Sequence, residues 1–251
     1  MSASSAAIPG AAAGLDSVTY DAVFAPVRSQ TAFEETVDRL GTAIKLGLLA
    51  PGTRLPPERH LCEQLGIARS TLRQALVALA QSGHLHAVRG RGGGTFVADP
   101  QPPALPPSQE ILAAWHDICD RRIAVEVGVV LLAAERATPE LLDPLDELAL
   151  AIEGTLEDFA AYRPIDVRLH VGLAEITGST RLVAAMTEVQ GEMTDLISHI
   201  AHPPEVLAVS NLQHRRVLEA VRAHDETRAV REMAEHVRGT EHILAGLLPP
   251  G

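Results

Sequence analysis

Residues 55–97 constrain this chain more than any other stretch: LPPERHLCEQLGIARSTLRQALVALAQSGHLHAVRGRGGGTFV. Pro57 suits the start of a helix and Gly66 its end, so PERHLCEQLG reads as one short helix. Ser70 stands where it can cap a second helix, STLRQALVALAQSG, which stops at Gly83. HLHAV and TFV read as short strands flanking RGRGGG, whose glycines allow the positive dihedrals of a ribbon tip and close approach to a partner. Two helices joined by a tight turn, then a two-stranded ribbon, make a winged helix-turn-helix. Ahead of it, Phe33, Val37, Leu40, Ile44 and Leu48 recur at helical spacing over residues 30–48, and APGTRL turns the chain at Pro51 and Gly52.

The charge distribution fits that reading although the total does not. The chain carries 21 basic and 32 acidic residues, a net charge of −11. Residues 54–98, however, hold Arg54, Arg59, Arg69, Arg73, Arg89 and Arg91 against Glu58 and Glu63, a local +4. Phosphate binding needs a local cationic face rather than a basic protein, and an acidic remainder keeps DNA off the other surfaces. A recognition helix needs short polar and Arg side chains at its N-terminal end. Ala68, Arg69, Ser70, Thr71 and Arg73 supply them while Leu72, Leu76 and Leu79 point inward. The glycines of the wing do not make a phosphate loop, because no Gly-Lys-Ser/Thr follows and no helix opens there.

The remainder predicts helix. Aromatic residues are 3% of the chain, and Ala, Leu and Val dominate. Residues 1–28 read as a disordered tail without the basic start and apolar core of a signal peptide. The winged helix-turn-helix then spans 29–98, and DPQPPALPPS (99–108) is a semi-rigid linker. A helical domain fills 109–248, with helices near 109–137, 138–155, 157–177, 179–201, 204–224 and 226–247. Short turns between six helices predict an antiparallel all-α bundle, so the fold class is mainly α with a small β-wing. No apolar run reaches membrane length. Cys62 and Cys119 have no zinc-like spacing and read as buried reduced thiols, which suits the cytoplasm.

The stretch LGLLAPGTRLPPERHLCEQLGIARSTLRQAL…GRGGGTFV resembles, in order and spacing, the DNA-binding domain of the GntR family of bacterial transcription regulators. The resemblance implies that Arg59, Arg69 and Arg73 make the main DNA contacts, with Ser70 and Thr71 beside them. It also implies that the tip, Arg89, Gly90, Arg91 and Gly92, enters the minor groove. His60 departs from the pattern, where an acidic residue is common.

In the helical domain Asp166 and His170 lie four apart on one helix face, which also carries Leu173, Ile176 and Thr177 and so points inward. His214 and His236 sit among apolar neighbours on two further helices. Three helices would then bring one carboxylate and three imidazoles into a common interior, where a divalent ion is one way to satisfy them. The other reading is four unrelated side chains in a chain of eleven His, with His199, His202, His224 and His242 on the surface. Arg122 and Glu126, one helical turn apart, are either a surface ion pair or part of a pocket in which Arg122 binds an effector carboxylate.

RIAVE at 122–126, LLAAERAT, DVRLH at 166–170, and His214 and His236 in their settings are similar to the effector-binding FCD domain of the FadR subfamily. That resemblance implies that Asp166, His170, His214 and His236 bind a divalent metal ion. Zinc is the first expectation, with nickel or manganese as alternatives. The expected protein is a homodimeric transcription regulator, a repressor, that binds a double-stranded DNA operator arranged as an inverted repeat. It answers to a small carboxylate held at the metal by Arg122 and Glu126, and it is not an enzyme. The rival readings are a metal-dependent hydrolase with an accessory DNA-binding domain and a regulator whose metal is purely structural. The subfamily often has Asn where this chain has Thr180.

Overall fold

The computed structural model describes residues 31–102, 106–198 and 200–247, together with Thr19 and Ala22. The tail expected over 1–28 lies almost wholly outside these residues, as do 103–105 of the proline-rich linker and His199.

Helix α1 (Ala32–Lys45) opens with a capping box. The Thr31 hydroxyl accepts from the Glu34 backbone while the Glu34 carboxylate accepts from the Thr31 N–H. Helix α2 (Glu58–Leu65) ends at Gly66, whose φ of 66° gives the left-handed cap that glycine adopts without strain. Helix α3 (Arg69–Gln81) starts two residues earlier than a cap at Ser70 implies. Ala68 stands at the N-cap without a side-chain bond, so Ser70 is not the cap. It sits in the first turn, exposed and available to an outside partner. Ile44, Leu55, Leu61, Leu72, Leu76 and Leu79 close one small core with Leu85 and Val97.

The wing pairs β1 (Leu85–Val88) with β2 (Gly94–Val97) in antiparallel register, Leu85 opposite Val97 and Val88 opposite Gly94. At its tip Gly90 and Gly92 have φ of 98° and 85°, which side-chain-bearing residues rarely adopt. Arg54 donates from its guanidinium to the Gly93 carbonyl and so braces the wing from the turn after α1.

The helical domain runs α4 (Gln109–Ala113), α5 (Trp115–Arg136), α6 (Pro139–Ile152), α7 (Phe159–Ile176), α8 (Thr180–Ile197), α9 (Pro204–Arg222) and α10 (Glu226–Leu247). The helix expected over 109–137 is therefore two. The break at Ala114 lets Trp115 bury itself against Cys119, Met193, Leu196 and Leu244. Ser179 caps α8 by accepting from the Leu182 N–H, so Thr180 is the first helical residue and has no capping role. Both cysteines are free. Cys119 is buried, and burial pushes its thiol up to about 11, whereas Cys62 is only half-buried.

The two domains touch directly. Leu46, just past α1, is 1% exposed and belongs to the core of the helical domain with Val129, Val130 and Leu142. Lys45 Nζ pairs with Asp195 on α8 at 2.8 Å. Gly47 and Gly191 are close-approach positions, where a Cβ would stand 3.0 Å from Pro164 and from the Thr42 methyl respectively.

Candidate functional site

On the winged-helix domain, Arg59, Arg69, Ser70, Arg73, Arg89, Gly90, Arg91 and Gly92 are exposed and Thr71 is half-buried, while Leu72, Leu76 and Leu79 are inside. Glu58, at the start of α2, accepts from Arg69 Nε at 3.1 Å and from Arg73 Nε at 2.9 Å. One carboxylate thus holds both α3 arginines side by side on the exposed face. Arg59 lies 3.7 Å from Glu63. These are surface pairs of small net worth, so phosphate or a base edge can displace them cheaply.

In the helical domain, α7, α9 and α10 bring Asp166, His170, His214 and His236 together, all buried. One nitrogen from each imidazole lies within 4.8 Å of the other two, so the three buried histidines could hold a metal ion. His214 Nε2 and His236 Nε2 are 3.2 Å apart. Asp166 Oδ1 is 3.4 Å from His214 Nε2 and 3.9 Å from His170 Nε2. Donors sharing one tetrahedral ion at about 2.0–2.1 Å stand roughly 3.3–3.4 Å apart, and the two shorter spacings have that scale. Both ring nitrogens of His170 and Nδ1 of His214 are buried without a hydrogen-bond partner among the described residues, although His170 Nδ1 lies against the Glu126 carboxylate. A buried orphan lone pair costs free energy unless something satisfies it. The three imidazoles, with the orphaned His170 Nε2, fit a divalent cation.

The electrostatics of the cluster agree with a ligand role. Burial pushes His214 down to about 4 against the pull of Asp166. Burial, then His214 and His170, hold His236 well below its ordinary value. Neutral imidazoles carry the lone pair that a metal needs.

The surrounding groups were less visible in the sequence. Glu126 is fully buried, not on the surface. It accepts from Arg122 Nε at 2.6 Å and from Gln190 Nε2 at 3.0 Å, and its other oxygen meets His170 Nδ1. Burial alone would raise its carboxyl, but His170 and then Arg122 outweigh it and hold the group below the usual range. His170 Nδ1 thus faces a carboxylate while Nε2 faces the cluster. Glu126, expected beside Arg122 as an effector contact, stands behind His170 and does not line the cavity. The reason is position: it faces α7 and α8 from the buried side of α5.

Sequence reasoning missed Arg163. Its Nη1 pairs with Asp166 Oδ2, its Nε donates to Thr194 Oγ1 at 3.0 Å, and its Nη2 donates to Gln190. Its signal was there, three residues before Asp166 on the same helix. Tyr162 was missed too; its hydroxyl donates towards Asp166 Oδ1 at 3.3 Å. Burial would raise the Asp166 carboxyl, but Arg163 and the histidines outweigh it and hold the group down.

Beside this cluster lies a cavity of about 410 Å³. Arg122, Arg163, Asp166 and His236 line one part of it, and Phe159, Met193 and Ile197 line the wall. His202, expected on the surface, is half-buried. It stacks on Phe159 with ring centroids 3.5 Å apart and an interplanar angle of 7°.

Among the described residues no helix is long and apolar enough to cross a membrane. The model of bacterial regulatory proteins of the gntR family matches residues 33–97, and that of the FCD domain matches 117–239. A Mycobacterium gastri protein named HTH-type transcriptional regulator RmpR is 35% identical over 218 residues, 80% of this chain and 76% of its own length. An Escherichia coli protein named as an L-lactate dehydrogenase operon regulatory protein is 32% identical over 221 residues, covering 81% and 83%. Among solved structures, E. coli McbR/YncC shares the fold with a TM-score of 0.54 at 22% identity, over 87% of this chain and 99% of that one. The chain belongs to the GntR family of bacterial regulatory proteins, among the transcription regulators that join a winged-helix DNA-binding domain to an FCD domain.

Proposed function

We propose that this regulator binds an inverted-repeat operator as a homodimer and that a small carboxylate, held at a metal site in the helical domain, controls that binding. Arg69 and Arg73 would enter the major groove with Ser70 and Thr71 at the phosphates, flanked by Arg59. The tip at Arg89–Gly92 would follow the minor groove. A single winged helix buries little surface, so tight operator binding calls for two copies.

Asp166, His170, His214 and His236 would hold one divalent ion, with zinc the best match to an imidazole-rich set. Such an ion, when bound, supplies the positive charge that a carboxylate needs. The observation that carries this reading is the orphaned His170 Nε2 facing Asp166, with two arginines lining the adjoining cavity. Glu126 would fix the His170 tautomer from behind, an outer partner rather than an effector contact. Arg122 is already matched by Glu126, and Arg163 by Asp166. The arginines therefore orient an incoming acid, and the ion adds the unmatched charge.

The deciding experiment is elemental analysis of wild type and His214→Ala, beside operator titrations with and without a carboxylate. The expected result is loss of most of the metal and of the effector response, with operator affinity in the absence of effector retained. Full metal content with an intact response would overturn the site. Metal loss with an intact response would make the metal structural. Sedimentation of the free protein tests the dimer, and a monomer both free and on DNA would sink it.

A further inference from the structure

We infer that the effector is an amphipathic monocarboxylate, with its acid group at the arginine–imidazole end of the cavity and an apolar tail of about six to ten carbons along the cavity wall. The inference rests on the carboxylate reading above and adds the class of acid.

Size is the first argument. The cavity measures about 410 Å³, roughly the space of fourteen water molecules at about 30 Å³ each. A three-carbon hydroxy acid has six heavy atoms and would leave more than half of it wet. The second argument is the lining. The polar groups Arg122, Arg163, Asp166, Tyr162 and His236 are neighbours, tied to one another or to the same cluster. The rest of the lining is mostly apolar, with Phe159, Met193, Ile197, Val206, Val209 and Ile243 beside the polar Ser210, Gln213 and Thr240. The Phe159 plate is held from behind by His202, whose Nε2 is 2.7 Å from the Ile197 carbonyl oxygen. Val206 and Val209 line the cavity yet are 38% and 57% exposed. These are apolar groups that a tail would remove from water.

The third argument is charge. Among the described residues lining the cavity, Arg122 and Arg163 are the only cations of the Lys/Arg type, while the exposed Glu205 also lines it. A second carboxylate would therefore find no further Lys or Arg among the described lining residues, only apolar wall, neutral polar groups or a like charge. That favours one acid group over two.

The test uses the full-length protein with one equivalent of zinc. Calorimetry gives the affinity, and fluorescence of Trp115, the single Trp, gives an independent signal because Trp115 packs with Met193 and Ile197. The probes are acetate, lactate, hexanoate, octanoate, decanoate and octanedioate. Affinity is expected to rise about three- to fourfold per methylene between acetate and octanoate, with octanedioate at least about tenfold weaker than octanoate. Val209→Asn, at an exposed position, should flatten the chain-length series, and a series as steep as wild type would overturn the tail's path along this wall. Acetate or lactate binding as tightly as octanoate would overturn the tail while the carboxylate reading survives. Octanedioate matching octanoate would overturn the single acid group. Failure of every acid to bind the zinc-loaded protein would remove the carboxylate reading itself.

Discussion

Replacing Glu126 by Gln keeps the side chain's shape and removes its charge, which tests whether this carboxylate anchors the interior of the helical domain. Three groups converge on it: Arg122 Nε at 2.6 Å, Gln190 Nε2 at 3.0 Å and His170 Nδ1. Arg122 is 3% exposed, so losing its counter-charge leaves a buried cation uncompensated. Breaking one side of a buried ion pair costs about 3–5 kcal/mol. For a chain of this size each kcal/mol moves Tm by about 2–4 °C, so Tm of the metal-free protein should fall by roughly 6–20 °C. Gln still offers one acceptor, which places the result in the lower half of that range. Zinc affinity, read by competition with a chelator, should fall roughly 10–100-fold because His170 loses the partner that orients it. The double variant Arg122→Met/Glu126→Gln removes both charges and should be more stable than Glu126→Gln alone. A single variant melting within about 2 °C of wild type, or a double variant as unstable as the sum of its parts, would show that the pair is not the buried anchor.

On the DNA face, Arg69→Ala and Arg73→Ala should each cost about 1–3 kcal/mol in specific operator binding at fixed salt; wild-type affinity in both would remove α3 from the groove. Glu58→Gln frees both arginines and should tighten binding to non-operator DNA, measured by anisotropy; unchanged binding would mean the carboxylate does not restrain them. Leu46→Ala should cost about 2–5 kcal/mol and let the winged-helix domain melt apart from the helical domain in calorimetry; a single unchanged transition would deny the inter-domain anchor. The folded-state values of His214 and His236 lie below those of the unfolded chain, so between them the unfolded state binds more protons. Their contribution is complete above about pH 6.5 and is lost as pH falls through the folded-state values, about 4 for His214. Urea titrations of metal-free protein should therefore show stability dropping from pH 7.5 to 5.0, and a flat profile would mean the imidazoles are not held neutral.

Much of this molecule was legible from one-dimensional pattern. The order helix, turn, helix, ribbon over 55–97 follows from Gly66, the apolar spacing of Leu72, Leu76 and Leu79, and the Gly-Arg tip, because local backbone preference and amphipathic period act over a few residues. The inward face of α7 followed in the same way, since Asp166 and His170 share it with Leu173. What local pattern lacks is the identity of the facing surface. Periodicity marks a helix face as apolar without saying which other helix it meets. Only packing set His214 Nε2 3.2 Å from His236 Nε2, across 22 residues of chain, and put Glu126 behind His170. The pair Arg122–Glu126 has the same spacing as a solvent-exposed pair, and only burial by α7 and α8 turned it into an internal anchor. Arg163 escaped notice because three residues from Asp166 is also the spacing of an ordinary surface pair. The break at Ala114 and the seating of Leu46 in the neighbouring domain's core were decided by where Trp115 and Leu46 found apolar partners far along the chain, a choice that depends on the assembled fold and is written in no short segment.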